Sequence, residues 1–434
     1  MSPRRKAEDM AIGRWTMGPE RRRWILRAVC VAAAATLLAP GAGRAGGRPQ
    51  RTVFLSQPPD WAPQVDEDHK PASLVFKPEW TWGGFKSPLA GDPVDCAGWI
   101  VASSRDGEVA ALDPARGEAS WTAALAEGVN VGPATDGTRV FVATSKSRLR
   151  AIEGRDGAQA WTVELPAEAV APPRVVGARV LVATGDGSLL SIDKDSGRIA
   201  ATQLLPGRAS TGVEPAPGTL LVGTDHGALL ALEESTLQIR YRRNFDAAIT
   251  TPLVFDGKRV WFAAADRTVR CVRFSSGRER WVARTGAVCT ARPLVRGPYL
   301  YVLSYDDDIY VFGKRNGHQL SRVRLGHRLD ADAVVARDHL LVVPSTEASL
   351  VGLTLPGLQK VGHFDLEAPG EWFTTSPLWV ADRVALGYGR SEGKIVSLSV
   401  TEQAAPPKPA GQGTPGAATP PVPPASGAAI PTPP

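Results

Sequence analysis

Short β-branched runs recur along the chain, among them RVFVAT at 139–144, RVLVAT at 179–184 and RVWFAA at 259–264. Turns such as Asp136-Gly137 and Asp256-Gly257 precede these runs, and Asp106-Gly107, Asp186-Gly187 and His226-Gly227 stand at the turn that follows. An alternating stretch comes next, as in SLLSID at 188–193, then a glycine turn and a last run ending near Trp121, Trp161 or Trp281. No stretch of helical length places apolar residues three and four apart. The pattern therefore predicts strands without helices, four to a unit, arranged as an antiparallel meander.

The units are evenly spaced. Positions 113, 153, 193, 233, 273 and 313 lie 40 residues apart and open one phrase, which reads ALDPARGEASW at 111–121 and AIEGRDGAQAW at 151–161. Its glycine recurs as Gly117, Gly157, Gly197, Gly277, Gly317 and Gly357, with Leu237 standing in the one gap. Repeated meanders of roughly 40 residues predict propeller blades. Units begin near residues 88, 132, 172, 213, 251, 292, 332 and 376, and the last one lacks a final strand. The stretch LVFKPEWTW at 74–82 supplies it, with Trp80 and Trp82 flanking the place of the repeat tryptophan. An open sheet edge is prone to aggregate, so the two ends should join. The expected fold is all-β: an eight-bladed β-propeller of four-stranded antiparallel blades over residues 74–401, closed by the N-terminal strand.

The flanks differ in composition. Residues 1–45 hold an arginine-rich start and the apolar stretch AVCVAAAATLLA at 28–39, which reads as an export signal peptide cut after Ala45. RRWILR at 22–27 resembles a twin-arginine signal, and the general secretory route fits as well. Residues 46–73 form a proline-containing linker, and 402–434 a disordered Pro/Ala-rich tail with 11 prolines after residue 403. The formal net charge of +6 resides wholly in residues 1–45, and the remainder is neutral. Net charge thus gives no argument for a polyanionic partner. Removal of the leader takes Cys30 and leaves Cys96, Cys271 and Cys289. An oxidising compartment would allow one disulfide, with Cys271 and Cys289 in neighbouring units, and the other reading makes all three small buried hydrophobes.

The phrase A-x-D-x-x-x-G-x-x-x-W resembles the tryptophan-docking repeat of pyrroloquinoline quinone (PQQ) propellers. Two branches of that family share it. The quinoprotein dehydrogenases are usually longer and carry an adjacent Cys-Cys pair and a Ca²⁺ site, and no Cys-Cys occurs in this chain. The BamB-like scaffolds of the outer-membrane barrel-assembly machinery are similar in size. The stretch DAAITTPLVFDGKRVWFAA at 246–264 resembles their corresponding strand pair. This second resemblance implies no catalytic residues, no cofactor and no metal, an envelope protein partner, and a periplasmic place without a transmembrane helix. It also makes the loops around Arg208 and Asp246 the candidate partner patch. A small PQQ- or Ca²⁺-binding protein and a cell-wall or carbohydrate-binding propeller are the alternatives.

Other candidate residues receive structural roles. Trp121, Trp161 and Trp281 recur at one repeat position and should wedge between blades, with Gly117, Gly157, Gly197, Gly277 and Gly317 in the preceding turn. Asp306-Asp307-Asp308 is the densest carboxylate cluster, and its place in the repeat predicts a solvated turn rather than a cation site. The six histidines show no ligand or triad spacing.

Overall fold

The computed structural model describes residues 72–403 other than 346. All of them fall within Gln57–Pro434, the second of two compact units. The expected signal peptide, most of the linker and the tail beyond residue 403 lie outside the described residues. Among the described residues there is no helix, only strands and turns.

Eight four-stranded antiparallel sheets follow one another around a ring. Blades 1 to 7 occupy 94–124, 134–164, 174–204, 214–244, 254–284, 294–324 and 334–365. Blade 8 takes three strands from 378–403, and its outer strand is Ser73–Phe85. That strand pairs with Gly393–Gln403 from Ser73↔Gln403 to Phe85↔Gly393. The ring is an eight-bladed β-propeller, closed by its own N-terminal strand.

Burial follows position in the blade. Second and third strands such as Arg139–Thr144 and Ser188–Asp193 are almost wholly buried, because both faces are covered by neighbouring blades. Outer strands alternate, as in the Glu279–Arg284 strand, where Trp281 is buried and Val282 exposed.

The junctions between blades explain the repeated glycine and tryptophan together. Trp121 Nε1 donates to the Gly154 carbonyl at 2.7 Å, Trp161 to Lys194 at 3.0 Å and Trp281 to Lys314 at 3.3 Å, each on the next blade. Of the two N-terminal tryptophans it is Trp80 that donates to Pro114, at 3.0 Å. Trp82 instead packs edge-on against Phe85. In blade 4 Tyr241 does the same with its hydroxyl, 2.6 Å from the Phe274 carbonyl. A Cβ on Gly157 would lie 2.6 Å from the Trp121 ring, and one on Gly317 would lie 2.4 Å from Trp281. Both glycines also have positive φ, +73° and +70°. The ring needs a glycine beneath it for space as well as for backbone freedom.

The gap in the glycine series has the same cause. Leu237 holds φ +60°, so the turn is kept, yet its side chain is fully buried. On the preceding blade the tryptophan position carries Ala201, which packs against the cluster containing Leu237. Where the ring is missing, the leucine fills its space. The pattern repeats at the next exception, one residue later than the sequence spacing indicates. Leu358 rather than Gly357 takes the left-handed position, φ +56°, with its N–H donating to Thr354 O at 2.8 Å. The tryptophan position of the preceding blade carries Ser321, and Leu358 is buried in a cluster with Tyr301 of that blade. At the closing junction a Cβ on Gly362 would meet Leu74 at 2.6 Å, so the N-terminal strand fills that seat.

Two further expectations are corrected or decided here. Asp306-Asp307-Asp308 is not simply a solvated turn: Asp308 is 1% exposed and receives hydrogen bonds from both Arg322 and Arg324. The three cysteines are buried free thiols. Burial pushes Cys271 up to about 12 and Cys289 to about 11, and both sit in one apolar cluster with Trp261 and Trp281. They act as small hydrophobes.

Candidate functional site

In an antiparallel meander, the connections between blades and those between second and third strands gather at one end of the ring. Arg208 lies in the connection from blade 3 to blade 4 and Asp246 in that from blade 4 to blade 5, so both belong to this loop face. Asp225, in the second-to-third-strand turn of blade 4, holds Arg208 at 3.0 Å through Nε and accepts the Arg208 N–H as well. The guanidinium is still more than half exposed. Asp246 is exposed and has no hydrogen-bonding or ion-pair partner among the described residues. Two successive connections thus present opposite charges to solvent on one rigid face. A fixed donor and a free acceptor suit protein recognition, where charged groups set register and partner choice.

A second feature is the channel end of the first strands. A hydrogen-bonded chain of side chains and backbone links six blades there. Arg292 reaches Glu214 at 3.0 Å and Leu253 O at 3.1 Å, and its N–H donates to Asp332 at 2.6 Å. The Asp332 N–H donates to Ser376 Oγ, and the Ser376 N–H donates to Asp92 at 2.7 Å. Desolvation by the surrounding strands raises both Asp92 and Asp332 from the ordinary carboxylate value, against the lowering effect of these bonds. On the side of blades 1 to 3, where Gly132 and Pro172 bring no polar side chain, a cavity of about 560 Å³ opens instead. Asp92, Thr135 and Arg174 are its polar lining.

Two buried carboxylates gather arginines away from that channel. Glu127 accepts from Thr144 Oγ1 at 2.7 Å, Arg148 at 2.6 Å and Arg150 at 2.7 Å. Burial by itself would push this carboxyl up, but the three donors outweigh it and hold it at about 2. The folded-state value lies below the unfolded one of 4.5, so the stabilisation is present above about 4.5 and is lost as pH falls towards 2. Glu127→Ala is expected to cost about 3 kcal/mol at pH 7, since it leaves two guanidiniums without their buried partner. Urea denaturation of the two proteins at pH 7 and pH 3 checks this, and the difference between them should shrink at the lower pH.

Sequence reasoning missed these two hubs and the channel chain. Their acids lie in different units from the arginines or read as ordinary turn residues. Among the described residues no group of three or more His, Cys, Asp or Glu is placed to hold a metal ion.

The ring and its phrase define the class: the chain is an eight-bladed propeller of PQQ-like repeats. More particularly, it resembles BamB. The family model described as outer membrane protein assembly factor BamB matches residues 105–210 and 201–298. No curated protein matches the chain in sequence. Among solved structures, BamB from Moraxella catarrhalis aligns with a TM-score of 0.63 at 18% identity, over 75% of this chain and 98% of that one. The computationally designed Ika8 protein aligns at 0.65 and 14% identity, over 74% of this chain and 99% of its own. A quinohemoprotein alcohol dehydrogenase from Comamonas testosteroni aligns at 0.63 and 13% identity, over 78% of both chains. At these identities the structural likenesses show the fold. Taken with the family model, they support a protein-interaction scaffold at a coarse level, while the dehydrogenase shows that enzymes use the same ring.

Proposed function

We propose that this protein is an exported, non-catalytic scaffold of the cell envelope, working at the periplasmic side of the outer membrane in protein assembly. The observation that carries this reading is the match to the assembly-factor family over residues 105–298, which includes the connections bearing Arg208 and Asp246. The closed ring supplies rigidity, and the loop face presents the contact patch at little ordering cost on binding. Asp246 pairs with a cation of the partner, and Arg208, pinned by Asp225, with an acid.

The residues present do not fit the quinone of the dehydrogenase branch. PQQ is a tricarboxylate, whereas the polar lining of the cavity is one guanidinium, Arg174, one carboxylate, Asp92, and Thr135. No quinone chemistry is assigned to the chain.

The double variant Arg208→Glu/Asp246→Arg tests the patch. Its crosslinking to envelope partners in cells is expected to fall about tenfold, as charge reversal at a recognition contact predicts, with the melting temperature unchanged. Undiminished crosslinking of the folded variant would sink the assignment of these two residues.

A further inference from the structure

The neutral net charge of the ring conceals a local excess of arginine. The adjacent outer strands Ile239–Asn244 and Glu279–Arg284 read IRYRRN and ERWVAR, and Arg278 precedes the second. On the first strand each guanidinium is occupied: Arg240 by Glu233 and Thr219, Arg242 by Asn244, and Arg243 by the Ser276 carbonyl. On the second, the side chains of Arg280 and Arg284 are exposed and make no hydrogen bond or ion pair with other described residues. Val282 stands between them, 41% exposed. On two other blades a buried carboxylate gathers a pair of arginines, Glu127 in the connection before blade 2 taking Arg148 and Arg150, and Asp308 of blade 6 taking Arg322 and Arg324. Blade 5 has no such acid for Arg280 and Arg284.

The backbone of this strand is equally unanswered. It pairs only with Thr268–Arg273, regularly from Trp281 to Arg284 with a bulge at Arg280, and its other side is a sheet edge. The Thr285 N–H donates inward to Arg267 O at 3.0 Å. Antiparallel alternation then turns the N–H and C=O of Val282 and Arg284 outward. Charge on an edge strand is also a means of preventing self-pairing. Yet the outer strands Ala119–Ala124 and Ile199–Leu204 carry no charged residue, so this ring does not depend on that protection.

We infer that the outer edge of blade 5 binds an extended acidic segment of a partner protein, which adds to the sheet as a fifth strand. Main-chain bonds to Val282 and Arg284 supply affinity. A β-branched residue opposite Val282, with a carboxylate two residues to either side, supplies the match to Arg280 and Arg284. Cross-strand pairs of this kind are the unit of sheet recognition. The surface is distinct from the loop face and does not depend on the scaffold reading.

The test is fluorescence anisotropy of a labelled peptide with the core Glu-Thr-Val-Thr-Glu, titrated with the full chain at low salt. Saturable binding is expected. It should weaken by about tenfold in Arg280→Glu/Arg284→Glu, through loss of charge complementarity, and by a similar factor in Val282→Pro, which removes an outward N–H while the inward ladder is retained. Arg155→Glu, on an exposed turn of blade 2, should change nothing. Thermal melting confirms that each variant is folded. Three results would overturn the proposal: no binding to the wild-type chain, equal binding of a peptide of the same charge interrupted by prolines, or tighter binding to anionic phospholipid vesicles than to the peptide.

Discussion

Deletion of residues 73–85 is expected to abolish the cooperative unfolding of the ring and to drive the chain into oligomers. The strand supplies the whole outer edge of blade 8, and without it Gly393–Gln403 becomes an open and long edge with Ile395, Val396, Leu398 and Val400 along it. Such an edge is a template for pairing with another copy. The strand also buries Leu74 and Phe76 among Leu341, Leu350, Phe373 and Leu398, at the seam of blades 7 and 8. Truncating either one to alanine in the full chain should cost about 3 kcal/mol. Total stabilities of about 5–15 kcal/mol leave little after both are lost. Circular dichroism melting and light scattering read the outcome. A monomeric deletion variant melting as the full chain does would show that the ring is not held shut by this strand.

The second large effect concerns the exchange of tryptophan and glycine for alanine and leucine. Ala201→Trp alone should destabilise the protein by about 3 kcal/mol, because the indole enters space that Leu237 already fills. Leu237→Gly alone should cost about as much, by leaving a cavity. Together they rebuild the junction seen at Trp161 and Gly197, and the double variant should recover most of the loss. A coupling of at least about 2 kcal/mol in the urea-denaturation cycle is expected. Strict additivity of the two substitutions would refute the reciprocal packing.

Much of this architecture was legible in the residues. The 40-residue phrase gives the unit, the eight starts give the number of blades, and LVFKPEWTW at 74–82 gives the closing strand. Leu237 stood out as an exception in the sequence, but its meaning came only with Ala201, because the pair lies on neighbouring blades. Gly357 misled, since one additional residue moves the left-handed turn to Leu358. Electrostatics was the least legible level. Summing charge over the chain hid the arginines of blade 5, although IRYRRN and RERW were present to be read as a local excess. The position of Asp308 in a run of three aspartates suggested solvent, whereas the fold buries it against two arginines. Partners brought together by sheet pairing, across 14 and 16 residues here, leave no periodic trace in the sequence.

The scaffold reading is tested most directly by crosslinking the tagged full chain in living cells and identifying by mass spectrometry what is joined to it in the envelope fraction. Recovery of barrel-assembly components, linked through the loop face that carries Arg208 and Asp246, is the predicted result. Recovery of the chain alone, or of partners joined only outside the envelope, would contradict it.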